Sequence, residues 1–364
     1  MILLYIFTAV VFVNCIYYIF FSKFSFSQSS GVNKSDFSPV SLIICAKNEA
    51  ENLKTHIPFW IEQEYPKFEI ILINDASYDD TLEVMESFAL TNSCIKIVDV
   101  ENNEAFWGSK KYALTLGIKK ATNQYLIFTD ADCKPSSKHW LQEMASHLKD
   151  DKQLVLGFGG YQKLPGLLNK LIRFETLMTA IQYFSYAKAG NPYMGVGRNI
   201  AYTSKLFYDN NGFMSHMEIP SGDDDLFVNQ AATKKNTAIC FTEDSFTYSV
   251  PKKSWKSWFL QKKRHVSTAK HYKFKHKFLL GLYYVSEFLF WILSIATLFL
   301  LDWKIPVIII TFRFLIQYLV VGKAASKLKE KDLIFFLPFW ELFLVFIQMS
   351  IFIFNSSSKP TKWK

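Results

Sequence analysis

The ten residues YLIFTDADCK, Tyr125 to Lys134, set two aspartates, Asp130 and Asp132, one residue apart at the end of an apolar run. Carboxylates spaced that way at the mouth of a buried strand repel each other, so the pair costs stability unless a cation or a ligand lies between them. Two other apolar runs end similarly: Glu49 follows SLIIC (41–45) and Asp75 closes EIILIND (69–75). A single carboxylate after a strand is commonly a turn or helix cap, and Asp79 in ASYDDT is expected to be one. Four converging on one edge point instead to a shared ligand or metal site. Aspartate oxygens are hard ligands suited to Mg2+ or Mn2+, and a cation held by few protein carboxylates completes its shell with substrate phosphates and water. The sequence has no GxxxxGK[ST] loop and no GxGxxG after a strand, so neither a P-loop nucleotidase nor a dinucleotide enzyme is supported. What remains is a nucleotide-diphosphate donor whose leaving group the metal neutralises.

These residues need a scaffold that brings strand ends together. The runs 41–45, 69–75, IKIVDV (95–100) and YLIFTD (125–130) alternate with helix-like segments at Glu51 to Trp60, Thr81 to Leu90 and Ser109 to Ala121. Strand and helix alternating in this manner predict an α/β layer with a mostly parallel sheet, in which ligands bind beyond the carboxyl ends of the strands.

The rest of the chain is more apolar than a soluble domain. Half of the 364 residues are hydrophobic, 35 of them Phe, and the mean hydropathy is slightly positive. Residues 1–22 contain an uncharged apolar run of about the ~20 residues that cross a bilayer. It lacks the basic start and small-residue cleavage site of a signal peptide, and Lys23 and Lys34 follow it, so a retained anchor with the next segment in the cytoplasm is expected. Three further apolar runs lie between 278 and 354, approximately 278–301, 303–321 and 333–354. The lysine-rich GKAASKLKEKD between the last two belongs on the cytoplasmic side; the tail SKPTKWK then falls outside, so the last span is alternatively re-entrant or interfacial. Glu287, Arg313 and Glu341 sit inside these runs, and the expectation is Arg313 paired with one of the glutamates. The segment 165–190, amphipathic and aromatic, is expected as a helix against the sheet, with the membrane interface as the alternative. The net charge of +9 lies largely in lysines near the membrane segments, as an anionic inner leaflet attracts; no nucleic-acid-binding module is visible. Five cysteines, at 15, 45, 94, 133 and 240, show no metal-ligand spacing and are assigned no chemistry.

Seven pieces occur in order from about 40 to 265: SLIICAKNEAENL, ILINDASYDDT, GSKKYALTLGIKKA, YLIFTDADC, GVGRNIAY, SGDDDLF and QKKRH. In that order, and flanked by apolar helices, they resemble a membrane-bound family 2 glycosyltransferase with the GT-A fold, of the cellulose synthase-like and ceramide glucosyltransferase-like group. The resemblance covers the whole polar domain. It implies a GT-A domain over 38–250, an interfacial segment over 251–277 and membrane helices over 1–22 and 278–354. It further implies that Glu49 and Asp75 hold the nucleoside, that Lys110 approaches the base or diphosphate, and that Asp130 and Asp132 bind the sugar-nucleotide and its Mg2+ or Mn2+.

The GDDDL stretch matches the family's acidic catalytic motif, whose general base deprotonates the acceptor hydroxyl as it attacks the anomeric carbon opposite the leaving diphosphate, inverting the product. The family motif is one residue longer, so alignment from the left favours Asp224 and from the right Asp223. Asp224 is preferred, and a carboxylate among three has neighbours that raise its pKa toward the range of a base. A helix N-terminus with an acidic first turn describes the same segment. QKKRH resembles QxxRW, which implies Arg264 as a diphosphate clamp with Gln261 and His265 beside it at the acceptor. The same stretch reads as an interfacial helix with Trp255, Trp258 and Phe259 on one face. His265 replaces the tryptophan that packs at the acceptor terminus of processive synthases, which favours transfer of one or a few sugars. Thr115 and Cys133 are further departures from the family pattern, treated as harmless.

The expected activity is therefore an inverting, metal-dependent hexosyl transfer from a nucleotide-sugar, uridine-linked by preference, to a lipid or membrane-proximal glycan. The protein would be integral to a membrane, the inner one if bacterial, with its catalytic domain in the cytoplasm. Alternatives are a processive polysaccharide synthase of the same family and a non-catalytic membrane protein that keeps the fold. Four membrane helices are few for an unaided export channel. A transporter is disfavoured because no repeated halves are visible.

Overall fold

The computed structural model describes residues 1–29, 37–101 and 110–356. Lys34, Ser109 and the tail SKPTKWK lie outside the described residues. The elements in chain order are α1 (Ile2–Ser25), β1 (Val40–Ala46), α2 (Ala50–Ile61), β2 (Phe68–Asp75), α3 (Thr81–Thr91), β3 (Ile95–Val100), α4 (Lys110–Lys120), β4 (Tyr125–Asp130), β5 (Cys133–Pro135), α5 (Trp140–Ala145), β6 (Leu154–Leu156) and β7 (Gly159–Tyr161). They continue with α6 (Leu167–Lys188), β8 (Ile200–Thr203), α7 (Ser204–Asp209), α8 (Asp225–Ala231), β9 (Thr237–Ile239), β10 (Thr247–Ser249), α9 (Trp255–Ala269), α10 (Phe274–Leu300), α11 (Lys304–Lys327) and α12 (Leu337–Ser356). Among the described residues the chain divides into two compact units, one of Ser29–Gln162 with Gly190–Pro251, the other of Met1–Gln28, Lys163–Ala189 and Lys252 to Ser356.

The first unit is built on a seven-stranded sheet in the order β3-β2-β1-β4-β8-β6-β9. β1 pairs in parallel with both β2 and β4, and β2 with β3; β8 runs antiparallel between β4 and β6. β1 (VSLIICA) is buried almost throughout, as a central strand covered on both faces must be. Leu42, Ile44, Leu72 and Ile127 join Trp60 of α2 and Trp140 of α5 in one core. The register puts Cys45 opposite Asp130 and Ala46 opposite Asn74, so β1, β2 and β4 all end at one edge. A second sheet, β5-β10-β7, has three strands.

The second unit is helical. α1, α10, α11 and the segment Lys331–Phe354 are long and apolar enough to cross a membrane, and α1 packs against α6, α10 and α11. Arg313, fully buried, donates from Nη2 to Glu287 Oε2 at 2.5 Å and to Glu341 Oε1 at 2.5 Å. The single glutamate partner expected from the sequence is thus two, because a guanidinium has donors for both. Tyr18 donates to Glu341 at 2.8 Å and Asn14 accepts from Arg313 Nε at 3.2 Å, which completes the cluster from α1.

Residues 165–190 form the expected helix, placed with the apolar helices and not against the sheet. Their helix, α6, belongs to the helical unit and packs on α1, α11 and α12. Its aromatics find ring partners there, Phe184 on Phe24 at 4.8 Å and Tyr186 on Phe20 at 4.8 Å. Within the same unit Trp255 and Phe259 of α9 meet Phe343 and Phe354 of α12 at 5.9 and 5.7 Å. The aromatic face of α9 is therefore directed at a helix.

Candidate active site

The carboxyl edge of the large sheet gathers the site, within the first unit. The turn after β1 contains Asn48 at φ 56° and the turn after β2 contains Ala76 at φ 49°, left-handed positions that reverse the chain abruptly beside Glu49 and Asp75. Glu49 is the N-cap residue of α2; its N–H donates to Thr81 Oγ1 at 2.8 Å and its carboxylate accepts from the Asn52 amide. Asp79 acts as a cap twice over: its carboxylate accepts from the N–H of Thr81 at 3.2 Å and of Ala50 at 3.3 Å, joining the starts of α3 and α2.

Asp75 is buried, with the Lys47 ammonium 3.9 Å away. Its Oδ2 is inaccessible to solvent and has no hydrogen-bond partner among the described residues. Burial raises its pKa, against the opposing charges of Lys47 and Lys110.

Lys110, the first residue of α4, bridges Asp130 Oδ1 at 2.8 Å and Asp223 Oδ2 at 3.0 Å. Burial works against its charge, but the two carboxylates outweigh it and hold the ammonium protonated well above its usual range. Asp130 and Asp132, with Cys133, offer ligand atoms within 4.8 Å of one another. Two half-exposed carboxylates at the end of a strand form a hard-oxygen donor set of the kind that suits Mg2+ or Mn2+.

Asp223, Asp224 and Asp225 enter this edge at the start of α8, after Gly222 at φ 93°, a conformation that requires glycine. The consecutive carboxylates point to different partners. Asp223 would be raised by burial, yet Lys110 holds it below the ordinary range. Asp224 accepts from the Gly197 N–H at 2.6 Å and the Asp225 N–H at 2.8 Å. Burial, with the charges of Asp223 and Asp225, raises Asp224 to about 7. A Cβ on Gly197 would stand 3.3 Å from Asp224 Oδ2, so glycine is what lets the backbone approach so closely. A small cavity lies among Cys45, Lys110, Asp130, Tyr202, Asp223 and Asp224. Sequence reasoning missed Lys111, which is buried and donates to the carbonyls of His216 at 2.6 Å and Ile219 at 2.9 Å. It ties α4 to the segment that delivers Asp223 to Asp225.

Gln261, Arg264 and His265 lie on α9 of the helical unit, at helical spacing on one face. Their neighbour Lys262 makes a 2.6 Å ion pair with Glu175 of α6.

Residues 41–209 match the family described as "Glycosyl transferase family 2". This chain carries a family 2 glycosyltransferase domain. The matched segment includes Glu49, Asp75, Lys110, Asp130 and Asp132 and ends before Asp223. The chain is 37% identical over 123 residues to a poly-beta-1,6-N-acetyl-D-glucosamine synthase of Staphylococcus epidermidis, a match spanning 33% of this chain and 28% of that relative. It is 32% identical over 127 residues to an uncharacterized glycosyltransferase of Haemophilus influenzae, spanning 34% of this chain and 37% of the relative. The chain thus aligns with only 28% and 37% of the length of these relatives.

Among solved structures, a mannosyltransferase from Pyrobaculum calidifontis in complex with GDP-Man and Mn2+ superposes with a TM-score of 0.60 at 17% identity, covering 92% of this chain and 99% of that one. The family 2 domain has the GT-A fold, a mostly parallel sheet with helices, accompanied by an N-terminal and three C-terminal apolar helices. The features of this domain that the sequence hid are those made by distant segments: Gly197 on Asp224, and Lys111 on the loop before it.

Proposed function

We propose that the chain is an inverting, metal-dependent glycosyltransferase that moves a sugar from a nucleotide-sugar, uridine-linked by preference, to a hydroxyl of a lipid or membrane-proximal glycan at the cytoplasmic face. The observation that carries this reading is the arrangement of two adjacent carboxylates on one cavity, Asp223 ion-paired to Lys110 at 3.0 Å and Asp224 held by the Gly197 N–H beside Asp223 and Asp225, whose charges help raise it to about 7. A general base works best when its pKa lies near the operating pH. Asp224 therefore takes the proton of the acceptor hydroxyl as that oxygen attacks the anomeric carbon. The bond from that carbon to the diphosphate breaks, and its electron pair leaves with the diphosphate. Attack from the face opposite the leaving group inverts the centre.

Asp130 and Asp132 would hold Mg2+ or Mn2+, which supplies positive charge against the leaving diphosphate. Asp75 at the end of β2 and Glu49 after β1 are assigned to the nucleoside on their place at the carboxyl edge of the sheet. Lys110 keeps Asp223 ionised and Asp130 oriented. Gln261, Arg264 and His265 are assigned to the diphosphate and acceptor on their motif alone. The Pyrobaculum structure with GDP-Man and Mn2+ supports the donor class and the metal.

A second reading, chain extension, draws support from the polymer synthase among the relatives; His265 in place of tryptophan favours one or a few transfers. The test is to incubate purified full-length protein in detergent with membrane lipid extract and UDP- and GDP-sugars, with Mn2+ or Mg2+, beside Asp132→Ala. One donor should be consumed, its label should pass to a lipid or glycan, and the variant should lose the reaction; product length separates single transfer from extension. A chain that neither binds nor consumes any donor under either metal is not a transferase.

A further inference from the structure

The small sheet β5-β10-β7 holds a row of side chains that the proposed chemistry leaves unused. Cys133 of β5 is in register with Ser249 of β10, and Ser249 with Tyr161 of β7. The Arg198 guanidinium lies 4.2 Å from the Tyr161 ring centre, a cation–π contact, and donates from Nη1 to the Gly160 carbonyl at 3.0 Å and to Ser249 Oγ at 3.2 Å. Ser249 Oγ is 3.3 Å from Cys133 Sγ, and Cys133 Sγ is 3.4 Å from Asp132 Oδ1. Only one assignment of hydrogens satisfies every step. Arginine has no acceptor, so its N–H must donate to the serine oxygen; a carboxylate is only an acceptor, so the thiol must donate to Asp132. The serine hydroxyl is then left to donate to sulfur. The direction of the whole chain is thus fixed at both ends.

We infer that Arg198, Ser249 and Cys133 form a positioning relay that orients the Asp132 carboxylate for a divalent cation, with the Cys133 thiol as a hydrogen-bond donor to that carboxylate. The inference rests on the reading of Asp130 and Asp132 as the cation site. A ligating carboxylate is itself held by hydrogen bonds, and loss of such a partner typically costs 10–100-fold in metal affinity. The thiol donates to Oδ1 of that carboxylate. Ser249 and Cys133 are buried. Cys133 is not a metal ligand in this arrangement: its hydrogen is engaged by Asp132, and a hard cation favours oxygen over sulfur.

The test measures Mn2+ binding in the presence of UDP, by electron paramagnetic resonance of free Mn2+, on the purified full chain and three variants, with metal-free melting as the control for folding. Cys133→Ala and Ser249→Ala should each weaken Mn2+ binding at least about tenfold, whereas Cys133→Ser, which keeps a donor, should stay within about threefold of the parent. Unchanged Mn2+ affinity in both alanine variants overturns the relay. So does Cd2+ binding that is tighter than Mn2+, produces a sulfur-to-metal absorption band and disappears in Cys133→Ser, because the thiol would then be a ligand. If the parent chain binds no divalent cation, the relay and the cation site fall together; if it binds and the variants are unaltered, only the relay falls.

Discussion

At the scale of single residues, neighbouring groups divide the work of similar carboxylates. Asp224 ionises near 7 when folded and near 4 when unfolded. The proposed rate should therefore rise with pH along a limb centred near 7, and Asp224→Asn should lower turnover by about 10²–10⁴-fold. Stability should move the other way. Between about pH 4 and 7 the folded chain keeps a proton that the unfolded chain has lost, so this group favours folding fully below pH 4 and its contribution is gone once pH passes about 7. Melting curves across that window should flatten in Asp224→Asn; a variant that keeps the parent's slope would remove Asp224 as its source. Asp75→Leu removes an unsatisfied buried acceptor and should raise the melting temperature while weakening donor binding about tenfold, read by titration of the nucleotide. The acidic strand ends are legible in the sequence because a carboxylate placed abruptly after a buried run is costly without a ligand or a cap to satisfy it. The difference between Asp223 and Asp224 is not legible, since Lys110 and Gly197 meet them from elsewhere in the chain. Spacing gives Cys133 no role, because its partner Ser249 is 116 positions away.

At the scale of elements, α4 is the part on which the site depends most. Lys110 and Lys111 open it, one turned to the carboxylates and the other to the carbonyls of His216 and Ile219. Burial lowers the Lys111 ammonium to about 8, with the three aspartates opposing. Lys111→Met should remove two buried hydrogen bonds, leaving the His216 carbonyl only the Ile219 N–H, cost about 1–3 kcal/mol of stability in a denaturant titration, and reduce turnover more than donor affinity, since the loop it holds carries the proposed base and not the proposed nucleoside site. Equal loss of both parameters would make Lys111 a general structural lysine. The strands of this layer are readable from their apolar runs, and α2, α3 and α4 from the segments between them. Helix α6 is not: apolar and aromatic residues occupy most of its faces, so the pattern admits a sheet or other helices as partners. Contacts such as Phe184 on Phe24 decide for the helices.

At the scale of the whole molecule, a GT-A unit and a unit of apolar helices each have their own internal logic. The helical unit is pinned by Arg313 between Glu287 and Glu341. Arg313→Leu alone leaves two buried glutamates without their cation and should destabilise the bundle by about 3–5 kcal/mol, whereas replacing all three with apolar residues of similar volume should be close to neutral. Size-exclusion profiles and melting in detergent distinguish the two; an unaffected single variant would mean that the cluster is solvated or redundant. The apolar runs and the family likeness are visible in the sequence because both are local patterns. The acceptor is not written in any local pattern, since choice among lipids and glycans is made by surfaces assembled from many segments. What matters most is whether this chain performs sugar transfer with Asp224 as its base. The most direct test compares donor binding with turnover for the parent chain and Asp224→Asn, once a donor is identified. Donor affinity should stay within about threefold of the parent while turnover falls at least about 100-fold; turnover retained in the variant, with donor bound normally, would contradict the assignment of Asp224.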